Sequence, residues 1–233
     1  MNIPTIFDWL TRLAFLRGWP AAYLILLTAV FIIITWNWRL ALIALTVQYL
    51  VAGLLFADIF DPRLAMVKVM VGLFNCLILT LTAGQVNWGH LPPDVTLAEM
   101  NQLDTTPRVR MDIFYVPANV PLRLFLAAAM LVVVLIVARR PSYQLVVVTE
   151  DLAYLNLAVY ALVAMGLLGL SLTSDPLQAG MGALMFLIGF ELFYGVLEQS
   201  GTILAALAAI NLVITVAIAY LTQARFAFKA MVD

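Results

Sequence analysis

The feature that most constrains this chain is a succession of seven apolar runs, each bounded by charges, prolines or polar clusters. The hydrocarbon core of a bilayer is about 30 Å thick and an α-helix rises about 1.5 Å per residue, so a span needs roughly 20 mostly apolar residues. The runs are Ala21–Trp36, Arg39–Ala57, Leu64–Ala83, Leu122–Ala138, about Leu145–Leu172, Leu177–Leu197 and Thr202–Leu221. Composition agrees, with 65% hydrophobic and 11% charged residues, where a soluble domain has about 45–50% and 25%. The sequence therefore predicts an all-α polytopic integral membrane protein of about seven transmembrane helices.

The spans fall into two groups, residues 21–83 and 122–223, separated by a loop over 84–121 and followed by a tail over 224–233. The loop holds Pro92, Pro93, Pro107, Pro117 and Pro121 and a solvated mixture of charges, and its prolines point to extended segments that contact a partner. In the segment 1–20, Ile3, Phe7, Leu10, Leu13, Ala14 and Phe15 share a helical face opposite Asp8 and Arg12. That segment is either a helix lying in the interface or an extension of the first span. It lacks the pattern of a cleaved leader, so no removal is expected.

Twelve Lys and Arg against thirteen Asp and Glu give a net charge of −1, which leaves no basic field to gather nucleic acid. Cys76 is the only cysteine and His90 the only histidine. No internal disulfide, His/Cys metal cluster or haem ligand pair is expected, and no cofactor. Arg12, Arg17, Arg63, Arg139 and Arg140 lie on the N-terminal side, and Arg39, Arg108, Arg110, Arg123, Arg225 and Lys229 on the other. Residues deep in a long loop weigh little in the positive-inside rule, so discounting Arg108 and Arg110 puts the N-terminus in the cytoplasm.

Ionisable groups at helix centres are costly and persist where they pair or conduct ions. Lys68, early in the third span, either snorkels to the interface or is a functional group. Glu150 and Asp151 lie inside the membrane if the fifth span starts near Gln144, and are solvated residues of a helix N-terminus if it starts at Leu152. Glu191 is well within the sixth span, between Phe190 and Leu192, and cannot reach water by snorkelling. It is read as functional or paired with a buried partner. Glu198 follows two turns later, about 10 Å away, either as a plain helix-end carboxylate or as a second group on the same face.

Glycines at 180, 182, 189, 195 and 201 punctuate the segment around Glu191, and Gly166 and Gly169 end the span before it, a texture that favours close helix packing and also permits a local kink. Gln48, Asn75, Asn156, Asn211 and Thr215 sit within spans, where they either line a hydrated path or bond between helices.

The run from Arg139, Arg140 and Pro141 to Glu150, then Leu152, Ala153, Tyr154, Leu155, Asn156 and Leu157, resembles the K subunit of respiratory complex I. In that family an Arg-rich turn precedes a membrane glutamate and a Leu/Asn-rich stretch, and the next helix carries a second buried glutamate, which Glu191 matches. The resemblance covers roughly residues 122–200. The first half, with Trp38, Arg39 and Leu40 opening a helix that carries Gln48, and Lys68 in the next, is similar to component E of the group-4 hydrogenases.

The resemblance implies a non-redox subunit in a bacterial or archaeal plasma membrane, among antiporter-like membrane subunits. Glu191, Glu150, Lys68, Glu198 and Asp151 would then contribute to a proton or cation path, with no catalytic centre on this chain. The alternative is a structural subunit that moves no ion. A stand-alone transporter would carry internal repeats, and none is evident. An intramembrane protease is disfavoured, since His90 lies in the loop and Asp58 and Asp61 flank one span's end.

Overall fold

The computed structural model describes residues 14–85, 108–111, 114–117, 119–140, 143–145, 152–173 and 175–232. These residues form seven α-helices: α1 (Trp19–Ile34), α2 (Trp38–Ile59), α3 (Pro62–Gln85), α4 (Asn119–Arg139), α5 (Ala153–Ser171), α6 (Pro176–Leu197) and α7 (Gly201–Val232). The only sheet among the described residues is a short antiparallel ribbon in the loop, β1 (Arg108–Met111) with β2 (Phe114–Pro117), in which Arg108 pairs with Pro117 and Met111 with Phe114. Six helices are long and apolar enough to cross a membrane, and α1, at 16 residues, is shorter. Helices are the natural choice for such runs, because every backbone polar group must be satisfied within the segment when lipid offers no partner.

Short polar signals start the helices. The Asn37 side chain accepts from Arg39 N at 3.1 Å, Asp61 from Arg63 N at 2.9 Å, and Asp175 from Gln178 N at 3.1 Å, with Pro176 fixing the first turn of α6. Gly18 has φ of 78°, a left-handed conformation that separates the 3-10 turn Ala14–Leu16 from α1. The N-terminal segment is therefore not a continuous extension of the first span. The face formed by Ile3, Phe7, Leu10 and Leu13 lies outside the described residues.

The fifth span takes the later of the two starts that the sequence left open, which shortens the Leu145–Leu172 run. Its helix begins at Ala153, not near Leu145, and Leu145 is non-helical, its N–H donating to Asn156 Oδ1 at 3.2 Å. Tyr160 OH donates to Tyr143 O at 2.5 Å and ties the same turn to α5. The apolar Leu145–Val148 run extended the apparent span beyond the helix.

The two helical groups share one core. Besides sequential neighbours, α1 packs on α5, α2 on α6 and α3 on α7. Contacts define two faces. Arg17, Asp58, Phe60, Tyr154 and Gly195 meet at the N-terminal face, and Trp36, Arg123, Leu172 and Gln178 at the opposite, loop face.

Candidate functional site: a buried ion pair among α3, α6 and α7

The rotation of α6 is set by its glycines. A methyl group added at Gly182 would lie 2.7 Å from Leu170 N, and one at Gly166 would lie 2.5 Å from Phe186 N, so the α5 and α6 backbones touch where only glycine fits. Gly189, one heptad beyond Gly182, meets Leu162 Cβ in the same way. Glu191 follows Gly189 by two residues, about 200° around the helix, which turns it from α5 towards α3 and α7. The glycines serve packing, and α6 stays α-helical throughout, without a π turn.

Glu191 is 3% exposed and Lys68 4%. Lys68 Nζ donates to Glu191 Oε1 at 2.6 Å, and Asn211 Nδ2 donates to the same oxygen at 2.9 Å. Lys68 points inward to its partner and does not snorkel. Each of these groups lies six residues inside the N-terminal-face end of its helix, Pro62 for α3 and Leu197 for α6, at a depth of about 9 Å. Two ions this well buried lose hydration that only their mutual attraction and further hydrogen bonds offset, so removing one partner costs about 3–5 kcal/mol.

Deeper in the same region the polar groups are incompletely paired. Asn75 Nδ2 donates to Tyr49 OH at 3.3 Å, while Asn75 Oδ1, Asn211 Oδ1 and both amide atoms of Gln48 make no hydrogen bond among the described residues. Gln48 and Asn75 have no exposed surface. A buried polar atom left unsatisfied costs about 1–3 kcal/mol, which stability alone gives no reason to keep.

Of the other predicted site residues, Glu198 stands apart. It caps α6 in an extended conformation, its N–H donating to Tyr194 O, and is exposed rather than on the Glu191 face of the helix. The seven-residue spacing placed it with Glu191, but the helix ends at Leu197. Glu150 and Asp151 lie outside the described residues, just before the start of α5. Asn156 bonds to Leu145 N and serves the turn. Among the described residues no three His, Cys, Asp or Glu side chains gather as a metal site.

Two clusters at the membrane faces were not singled out from the sequence. At the N-terminal face, Asp58 accepts from Arg17 through Nε, at 2.8 Å, and through Nη2, and from Tyr154 OH at 2.7 Å. At the loop face, Arg123 is 7% exposed, donates to Gln178 Oε1 at 3.1 Å, and stacks on Trp36 at 4.9 Å. Each links residues far apart in the chain, so spacing gave no signal. The acid and base types at span ends were the only hint.

The fold and site define a polytopic integral membrane protein with a lysine–glutamate pair buried inside its helical core. Comparison with protein families, with curated proteins and with solved structures finds no match for this chain.

Proposed function

We propose that this chain is a non-redox membrane subunit of a multisubunit, energy-transducing assembly of the complex I or group-4 hydrogenase kind, in which Lys68 and Glu191 form a proton or cation relay. The observation that carries this reading is the 2.6 Å pair itself, sealed from solvent and lipid. With both groups charged, the pair is neutral. One added proton neutralises Glu191 and leaves a positive charge on Lys68 with no counter-ion, a state that drives the next charge onward. The bistable element is the pair, and no bond other than those to protons forms or breaks.

In this reading, partner membrane subunits of antiporter-like chemistry pack against the exposed apolar faces of α3, α4 and α7, with residues such as Phe74, Phe125 and Val213. Glu150 supplies a second carboxylate before α5. The N-terminal face, with Arg17, Arg63, Arg139 and Arg140, is cytoplasmic in a bacterial or archaeal plasma membrane.

The test is ion translocation by the parent assembly in liposomes. Glu191→Gln alone leaves Lys68 without its partner, so it is paired with Lys68→Gln/Glu191→Gln, which removes both charges. The relay predicts loss of translocation in both variants at assembly levels equal to wild type. Wild-type translocation by the double variant would make the pair a structural device and the chain a scaffold subunit.

A further inference from the structure

The pattern of burial along α3 and α7 shows what lies beyond the ion pair. On α7 the buried positions among residues 201–224 are Leu204, Ala208, Asn211, Thr215, Ile218 and Thr222, alternating by four and three. On α3 they include Ala65, Lys68, Gly72, Asn75, Leu79 and Thr82, alternating by three and four. Both helices start at the N-terminal face and pack on each other, and the two buried stripes, each with coiled-coil periodicity, line one interior seam that α2 joins through Tyr49, against Gly72 and Asn75, and α6 through Gly180, against Ile218. A seam of this kind in lipid is normally filled with small and apolar residues. This one carries Lys68, Asn75 and Thr82 at every seventh position on one side, and Asn211, Thr215 and Thr222 on the other.

Helix rise places these residues in layers. Lys68 and Glu191 are about 9 Å from the N-terminal face, Asn211 about 15 Å, and Asn75 and Thr215 about 20 Å. Leu79 and Ile218 share a layer at about 25 Å, with Thr82 and Thr222 about 30 Å in, near the loop face. In the middle layers the Thr215 hydroxyl donates to Asn211 O at 2.9 Å, which leaves its lone pairs as acceptors. Asn75 Oδ1 and Asn211 Oδ1 are fully buried acceptors without a donor among the described residues.

We infer that the middle of this seam, around Asn75, Asn211 and Thr215, is a binding site for internal water that reaches the Glu191 carboxylate, closed towards the loop face by Leu79 and Ile218. Water is the ligand this chemistry selects. The free groups are neutral acceptors in neighbouring layers, and a bridging water donates twice while costing little to immobilise. Glu191 is joined to this region directly, because its Oε1 takes both Lys68 and the amide of Asn211, whose own Oδ1 is left without a donor among the described residues. Ile218 closes against α6, where it lies 2.4 Å from the position a Gly180 methyl would take. The site deepens the proposed relay and takes its purpose from it, by giving Glu191 a proton route that extends as far as the Leu79–Ile218 layer.

Thiol chemistry tests the site, and the background needs one change, because Cys76 is the only cysteine. In Cys76→Ala chains in lipid nanodiscs, single cysteines are placed at Thr215 and Asn75 within the site, at Val213 facing lipid, and at Leu162 in the dry α5–α6 contact. Silver ion is added, and thiols that remain free are counted with a maleimide dye after unfolding in detergent. The inference predicts that cysteines at 215 and 75 are consumed severalfold faster than those at 213 and 162, and that adding Ile218→Ala speeds them further. Reaction at 215 and 75 no faster than at 162, with or without Ile218→Ala, overturns it. The labelling reports on water alone and translocation on the relay. Reactive seam cysteines together with full translocation by the double variant would remove the relay and keep the water site.

Discussion

Towards α5, α6 presents Gly182 and Gly189, and the two backbones come so close that a methyl at Gly182 would lie 2.7 Å from Leu170 N. Towards α3 and α7 the same helix presents Glu191, which the side chains of Lys68 and Asn211 reach, at 2.6 and 2.9 Å. One contact is dry, apolar and made by backbone. The other is polar, made by side chains, and leaves acceptors unpaired. The glycine contact leaves α6 no freedom to rotate, and a carboxylate can be held beside an ammonium deep in a bilayer only if its helix cannot turn away. The rigid face positions and the polar face acts.

Five single substitutions probe that contrast, each read as unfolding free energy in mixed micelles. The largest effect is expected from Lys68→Met, which strands the Glu191 charge and should cost about 3–5 kcal/mol, most of it recovered in Lys68→Met/Glu191→Leu. A double variant no more stable than the single one would mean the two charges are not energetically coupled. On the dry side, Gly182→Ala should cost about 1–3 kcal/mol through backbone overpacking. Gly84→Ala, where nothing lies within 4 Å of the added methyl, should be neutral or stabilising by about 0.5–1 kcal/mol. Equal effects at the two glycines would dissolve the claim that α5–α6 contact fixes the rotation. Asn211→Leu removes one charged hydrogen bond and should cost about 1–2 kcal/mol. Glu198→Gln, at an exposed helix end, should change stability by less than about 0.5 kcal/mol, and a larger loss would return Glu198 to the buried network.

Much of this architecture is written in local sequence. The runs Leu64–Ala83 and Leu177–Leu197 fall within a few residues of α3 and α6 because charges, Asp61–Pro62 and Asp175–Pro176 mark where lipid begins. The fifth span was less legible. Val146, Val147 and Val148 are as apolar as any helix interior, so apolarity alone left two starts open, near Gln144 and at Leu152, and the helix begins at Ala153, beside the later one. Glu191 stood out as costly wherever it fell in its span. Its partner could not be read, because Lys68 is 123 residues away and near enough to a helix end to snorkel. The Arg17–Asp58–Tyr154 and Arg123–Gln178 clusters were hidden for the same reason, since pairing across helices leaves no periodicity along the chain. The heptad seam of α3 and α7 was present in the sequence, but its polar members resembled scattered interhelical bonds until burial aligned them.

The central claim is that Glu191 exchanges a proton within the membrane while paired with Lys68. The most direct measurement is infrared difference spectroscopy of the chain in nanodiscs, stepped across pH in H2O and in D2O, on wild type and Glu191→Gln. The account predicts a protonated-carboxyl band that comes and goes with pH, shifts in D2O and is missing from Glu191→Gln. A wild-type spectrum in which every such band persists in Glu191→Gln would show a carboxylate fixed in one state, and the relay would be contradicted.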